Sequence, residues 1–254
     1  MNELQALVFD VDGTLADTER DGHRVAFNQA FAAAGLDWEW SVPLYGELLA
    51  VTGGKERIRL YIDRYHPDFE FPGDPAAYIA DLHRRKTEFY LALLKSGGIP
   101  LRAGVRRLLQ EAREAGYVLA IATTTTPANV TGLLESTLGA ESLDWFATIA
   151  AGDVVPNKKP APDIYHYALE QLGLRAENCL AFEDSGNGVA SSVDAGLRTV
   201  VTINDYTHDH DFSRAELVLD QLGEPDAPCK VLKGEVDVTP CLDVPAIERL
   251  WRGS

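Results

Sequence analysis

Three short apolar runs constrain this chain more than any other feature in it: ALVFD at 6 to 10, YVLAIAT at 117 to 123 and CLAFED at 179 to 184. Each is too short for a helix and lacks polar alternation, the pattern of strands covered on both faces of a parallel sheet. Two of them end in acids and the third in a hydroxyl. Between them lie helix-like stretches such as GVRRLLQEAREAG at 104 to 116 and DIYHYALEQLGL at 163 to 174, each closed or followed by glycine. Strand and helix in alternation predict an α/β fold, a doubly wound, Rossmann-like parallel sheet. In that architecture ligands bind beyond the carboxyl ends of the strands, so DVD, TTTT and ED are expected to meet there.

Residues 17–97 interrupt the alternation. TERDGHRVAFNQAFAAAG at 18 to 35 and DPAAYIADLHRRKTEFYLALLK at 74 to 95 read as helices with no strand signal between them, which predicts an inserted helical cap. The chain returns through GGIPLRAG. Residues 1–16 and 98–221 are therefore expected to form the core and 17–97 the cap. The turn-rich extension 222–254 shows no role, and no internal repeat or low-complexity tract is present.

At 254 residues with 46% apolar and 24% charged side chains, the chain reads as a globular protein with one large domain and a smaller second one. Its net charge of −16 argues against nucleic acid and anionic membrane surfaces as partners. Any anionic ligand must be caught by a local cluster of cations. Cys179, Cys229 and Cys241 are too few and too unpatterned for a disulfide framework or a zinc site. With no basic leader and no bilayer-length apolar run, a soluble cytoplasmic protein is expected. Oligomeric state has no sequence signal, and a monomer is the default expectation.

Side chains alternate along a strand, so Asp10 and Asp12 can face one site as the first strand runs out, and Gly13 lets the backbone turn sharply there. Two neighbouring carboxylates hold different protonation states more readily than the same one, which suits a nucleophile beside a general acid; a divalent cation would offset the remaining repulsion. For a lone Asp-x-Asp the plainer alternative is a helix cap or a solvated turn.

Four signals in order decide between these. DVDGT at 10 to 14, the strand-ending Thr123 in AIATTTT, a lysine in KKPAPDIY and the acidic pair in FEDS together resemble the haloacid dehalogenase-like superfamily. That resemblance implies that Asp10 attacks phosphorus to form an aspartyl-phosphate, while Asp12 protonates the leaving oxygen and later takes a proton from water. It implies that Thr123 and the backbone of Thr124 hold the phosphoryl oxygens and that Lys159, with Lys158 as the alternative, compensates their charge. Asp10, the carbonyl of Asp12 and Asp184 would bind Mg2+, with Glu183 orienting its waters or Lys159. Hydrolytic dehalogenases of this superfamily lack both the second Asp and the metal, so a phosphoryl group is the expected target.

Two further stretches carry cations. VTGGKERIRLYI at 51 to 62 sets two glycines before a helix start, and LHRRK at 82 to 86 groups His83, Arg84, Arg85 and Lys86. Either could hold an anion; each could equally be a solvated helix face with Glu56, Asp63 and Glu88 as partners. Taken with DVDGTLADTERDGHRVAFNQAF, LYGELLAVTGGKERI, GDVVPNKKPAPDIY and LAFEDSGNGVA, they are similar to the CbbY family across roughly residues 5–210. This implies a phosphatase for xylulose-1,5-bisphosphate, an inhibitory misfire product of Rubisco, yielding xylulose 5-phosphate. The link to Rubisco is through its inhibitors, without direct binding. One phosphate would sit at Asp10 and the other against Lys55, Arg84 and Lys86, with His83 beside them. Asp17, His23, Thr52, Gly53 and Gly54 would meet the sugar, and Thr125 and Asn129 would add contacts, although threonines after a strand also cap helices. Cap closure on the second phosphate would then exclude water. Two rivals remain at this stage: a sugar-phosphate mutase resembling β-phosphoglucomutase, and a catalytically silent module that binds phosphorylated sugars.

Overall fold

The computed structural model describes residues 3–253. Seven strands form one sheet in the order β3-β2-β1-β4-β5-β6-β7. They are β1 (Ala6–Phe9), β2 (Val118–Thr123), β3 (Phe146–Ala151), β4 (Cys179–Glu183), β5 (Arg198–Thr202), β6 (Leu217–Leu219) and β7 (Val231–Lys233). The first six are mutually parallel, and β7 closes the edge antiparallel to β6. The chain winds from β1 out through β2 and β3, then returns to the other side of β1 for β4. The crossover crevice therefore opens at the carboxyl end of β1, and the three runs legible in the sequence are the adjacent inner strands β2, β1 and β4.

Their composition explains how both faces are covered. Leu7, Phe9, Leu119, Ile121, Leu180 and Phe182 point into the larger apolar cluster. Their strand neighbours Ala6, Val8, Ala120, Ala122, Cys179 and Ala181 point the other way. These smaller side chains let α7 (Asp163–Leu172) pack closely through Ile164, Tyr165 and Ala168. The other face takes α5 (Val105–Glu114) and α6 (Pro127–Leu138) through Leu108, Leu109, Leu133 and Leu134.

Between β1 and α5 the chain inserts four α-helices: α1 (Arg24–Ala33), α2 (Val42–Leu48), α3 (Gly54–Tyr65) and α4 (Pro75–Lys95). They surround an aromatic cluster of their own, including Phe27, Phe31, Trp38, Trp40, Tyr45 and Tyr61. Yet Tyr90 and Leu94, in the last turns of α4, belong to the main cluster with Val130 and Leu133. The insertion is thus anchored by one long helix that spans both cores. Its two connections run side by side, where Ala16 bridges Leu101 and the Arg102 amide donates to the Leu15 carbonyl at 2.9 Å.

Four strands escaped the sequence reading: β3 is half-exposed, β6 and β7 have only three residues each, and β5, though buried beside β4, opens on an arginine and a threonine. The extension after residue 221 also has a place: Val236, Val238 and Leu242 join the main cluster, as do Val244, Ile247 and Leu250 of α9 (Val244–Arg252). Leu242→Ala should therefore cost about 2–5 kcal/mol of stability, whereas Leu232→Ala, at a site 52% exposed, should change it by no more than about 0.5 kcal/mol. Urea denaturation of both variants measures the contrast, and equal midpoints would mean that 222–254 is not core.

Candidate active site

Asp10 leaves β1 one residue after its last apolar position, and Glu183 and Asp184 close β4 beside it. Gly13, at φ 85°, brings its loop so near Asp184 that a Cβ there would lie 2.2 Å from Oδ2, so only glycine fits. Asp10, Glu183 and Asp184 are all buried, and each offers a carboxylate oxygen within 4.8 Å of the others. Lys159 reaches them from the segment before α7: its Nζ donates to Asp10 Oδ1 at 2.7 Å and to Glu183 Oε1 at 2.6 Å. Tyr165 also donates to Glu183 Oε1, at 2.5 Å. Lys158 points elsewhere, to the Gly152 carbonyl and Asp153. Of the two lysines weighed from sequence, Lys159 is the one in the cluster.

Burial pushes the Asp10 carboxyl up to about 7, helped by the charges of Glu183 and Asp12 and opposed by Lys159. Burial likewise holds Asp184 well above the carboxylate range, with Asp10 and Glu183 adding to it and Asn204 and Lys159 opposing. Two acids held back from ionising by desolvation and by each other suit a divalent cation, which supplies the missing charge. The donor set is all oxygen, as a hard cation requires.

Asp12 has the opposite environment. Burial disfavours its charge, but the adjacent His23 imidazole and the hydrogen bonds from His23 and Thr18 hold it below the usual carboxylate range. Thr18 Oγ1 donates to Oδ1 at 2.6 Å, and His23 Nε2 meets the same oxygen at 2.8 Å. Lys86 Nζ lies 2.9 Å from His23 Nδ1. An ammonium can only donate, so Nδ1 accepts and Nε2 carries the proton toward Asp12. Lys86, fully enclosed and lying over the rings of Phe27 and Tyr90, is brought down by burial to about 8. A π-helical turn, Glu19–His23, leads into α1 and carries both Glu19 and His23 toward the site, a use of π-turns often seen at functional positions.

The acids open into a cavity of about 530 Å3 lined by Asp10, Asp12, Thr52, Thr123, Thr124, Lys159, Glu183 and Asp184. A small recess of about 40 Å3 adjoins Asp12, with His23, Gly53, Gly54, His83, Lys86, Thr125 and Asn129 around it. Thr123 Oγ1 accepts from the Thr125 amide at 3.4 Å, and Asn129 Nδ2 donates to Thr125 Oγ1 at 2.9 Å. Asn129 Oδ1 and Thr126 Oγ1 are buried there without a hydrogen-bond partner. Burial, with the charges of Lys86 and Lys55, pushes His83 down to about 3, so it is neutral.

Three residues expected to hold substrate lie outside both spaces. Arg84 is 57% exposed and pairs with Asp81 and Glu88 along α4, because its neighbours His83, Lys86 and Tyr90 occupy the inward stripe and leave it on the solvent side. Asp17 is 65% exposed and faces Arg102 at 3.3 Å, while the next residue, Thr18, turns inward to Asp12. Lys55 sits beside the recess, but its ammonium is bound to Asp153 of the core at 2.5 Å.

The cavity also holds residues the sequence reading passed over. Glu19 and Arg57 line both spaces. Tyr45 joins them: its hydroxyl donates to Glu19 Oε2, and Arg57 donates to that hydroxyl at 2.9 Å. Arg57 shares the buried stripe of α3 with Ile58, Tyr61 and Ile62, a helical spacing that could have marked it as inward-facing. Asn204, which donates to Asp184 Oδ2 at 2.7 Å, follows a strand too weakly patterned to flag it.

The model of the haloacid dehalogenase-like hydrolase family matches residues 4–196. The plasmid-borne Protein CbbY of Cupriavidus necator is 50% identical over 225 residues, covering 89% of this chain and 88% of its own. Protein CbbY of Rhodobacter capsulatus is 52% identical over 214 residues, covering 84% and 92%. Among solved structures, a mutant of CbbY from Rhodobacter sphaeroides in complex with xylulose-(1,5)bisphosphate is similar with a TM-score of 0.79 at 46% identity, over 86% of this chain and 94% of that one. β-Phosphoglucomutase from Clostridium difficile, at 20% identity and a TM-score of 0.73, shares the fold. With the acids, the buried lysine and the helical insertion all in the arrangement described, this chain belongs to the haloacid dehalogenase-like hydrolases and, within them, to the CbbY family of phosphatases.

Proposed function

We propose that the protein is a sugar-bisphosphate phosphatase acting on xylulose-1,5-bisphosphate and releasing phosphate through an aspartyl-phosphate at Asp10. One observation carries the reading: the cavity that holds the Asp10, Lys159 and Asp184 cluster shares Asp12, Glu19, Arg57 and Thr124 with a cation-lined recess beside the inserted helices. The CbbY of Rhodobacter sphaeroides bound to xylulose-(1,5)bisphosphate supports the choice of substrate. In this reading residues 17–97 act as a cap over the cavity, and 222–254 belongs with the core.

Asp10 Oδ attacks phosphorus as the carboxylate, and the bond from phosphorus to the sugar oxygen breaks as Asp12, ionised in the free protein and loaded with a proton in the substrate complex, delivers that proton to the oxygen. Asp12 then takes a proton from the water that cleaves the aspartyl-phosphate. Thr123, the Thr124 amide and Lys159 hold the phosphoryl oxygens. Mg2+ at Asp10, Asp184 and the Asp12 carbonyl would supply positive charge against the carboxylates and the phosphoryl oxygens. His23 and Lys86, both from the cap, set the orientation of Asp12, so a closed cap assembles the acid. The second phosphate is placed against the α3 N-terminus with Lys55, Arg57 and Lys86, where Lys55 would exchange Asp153 for phosphate.

A phosphate-release panel with Mg2+, comparing xylulose- and ribulose-1,5-bisphosphate, fructose-1,6-bisphosphate and glucose 1-phosphate, tests the substrate; preferential isomerisation of glucose 1-phosphate would replace this reading with a mutase. Asp10→Asn should abolish both turnover and covalent phosphoenzyme, and the persistence of either removes Asp10 as nucleophile. Lys55→Ala should lower kcat/KM for the bisphosphate about 10-fold or more while sparing small phosphate esters; Arg84→Ala, with its exposed partners, should change either by less than about twofold. Removing Mg2+ with a chelator should stop phosphate release, and activity unchanged by chelation would discard the cation.

His83 gives a pH dependence. Its ordinary value of 6.5 falls to about 3 in the fold, so below 6.5 the unfolded chain takes up a proton that the folded chain refuses. Stability is then lost as pH drops from 6.5 toward 3, by up to about 1.4 kcal/mol per pH unit. His83→Gln should flatten that dependence between pH 7 and 5 in urea titrations. An unchanged slope would mean that His83 is accessible to protons.

A further inference from the structure

Arg102 lies on the connection that returns the chain from α4 to α5, outside the catalytic cavity, with a side chain only 8% exposed. Its guanidinium reaches four separate segments. Nη1 donates to the carbonyls of Gly13 and, at 3.2 Å, Thr202. Nη2 donates to the carbonyls of Ile203 and, at 3.2 Å, Asp220. Nε faces Asp17 Oδ1 at 3.3 Å on the outgoing connection to the cap. A guanidinium has five N–H donors in a planar fork, and the partners gathered here account for them; an ammonium, with three, cannot serve the same set.

Two of the segments are walls of the acid cluster. Gly13 follows Asp12 directly and passes within a methyl group's reach of Asp184. Ile203 directly precedes Asn204, whose side-chain amide holds Asp184 Oδ2 at 2.7 Å. The backbone amide of Arg102 meanwhile ties the return connection to Leu15 of the outgoing one. We infer that Arg102 is a positioning residue for the cation pocket: from behind the site it fixes the Asp12–Gly13 loop in register with Asp184 and Asn204, and through Asp17 it joins that register to the hinge of the cap. The inference rests on the reading of Asp10, Asp184 and the Asp12 carbonyl as the cation's ligands.

The test is Mg2+ binding by isothermal titration calorimetry on the full chain without substrate, alongside thermal melts. Arg198 is the control, because it also gathers carbonyls, those of Leu250 and Trp251, and a carboxylate, Glu216, but at the opposite end of the sheet. Arg198→Met should lower Tm and leave Mg2+ affinity as in the wild type. Arg102→Met should weaken Mg2+ binding about 10-fold or more. Arg102→Lys, which keeps the charge and the length and so tolerates folding, should weaken it about 3-fold or more. Wild-type affinity in Arg102→Met or Arg102→Lys, whatever the melt, overturns the inference, since Arg102 would then be a structural anchor only. A wild-type chain that binds no Mg2+ overturns the cation reading and the inference with it.

Discussion

The ammonium of Lys159, enclosed between Asp10 and Glu183, is the interaction to which the rest of the molecule is fitted. Taking three charges out of water costs several kcal/mol each, repaid only when the geometry is good and the remaining lone pairs find partners. The groups come from separate segments, Asp10 from the end of β1, Glu183 from β4, Lys159 from before α7 and the Tyr165 hydroxyl from α7, and both donors to Glu183 meet Oε1 while Oε2 is buried without a partner. Because β1 and β4 pair directly, with Phe9 opposite Phe182, the two acids emerge side by side at the carboxyl edge. The small residues on the α7 side of the sheet let that helix come close enough to deliver the tyrosine.

Around this cluster the protein divides its two key carboxyls by environment. Asp10 is buried among like charges and held back from ionising, whereas Asp12 is buried among donors and held ionised. The donors to Asp12 come from the inserted segment, Thr18 and His23 directly and Lys86 through His23, so residues outside the sheet set the electrostatic state of one that follows a central strand. A chain of net charge −16 thus concentrates Arg57, Lys86 and Lys159 around the cavity and its recess, with Lys55 beside them on Asp153. Glu19, held by the Tyr45 hydroxyl that Arg57 in turn donates to, adds a further carboxylate to the lining of the same cavity.

Much of this was legible in the order of residues. Central strands of a parallel sheet are apolar on both faces, so β1, β2 and β4 announced themselves, and their polar ends marked the site. β3 and β7 have only partial cover, β6 is buried but three residues long, and β5 is buried but opens on arginine and threonine, so these four gave too little pattern to read. Helix faces were read less well. In LHRRK the motif drew Arg84 into the site, but the packing of α4 turns His83 and Lys86 inward and Arg84 to solvent. In KERIR the lysine drew attention, while Arg57, two positions on, is the one in the buried stripe.

By itself the sequence determined the class of fold, the acids that would gather and the family they belong to, because those depend on local patterns: runs of apolar residues, glycine at a forced turn and carboxylates at strand ends. Only the tertiary structure decided which lysine reaches Asp10, which cations of the inserted helices face inward, that apolar residues after 221 pack into the main cluster, and that Arg102 stands behind the acid cluster. Those outcomes depend on the rotation of helices about their axes and on contacts between residues about a hundred positions apart, neither of which a linear pattern encodes.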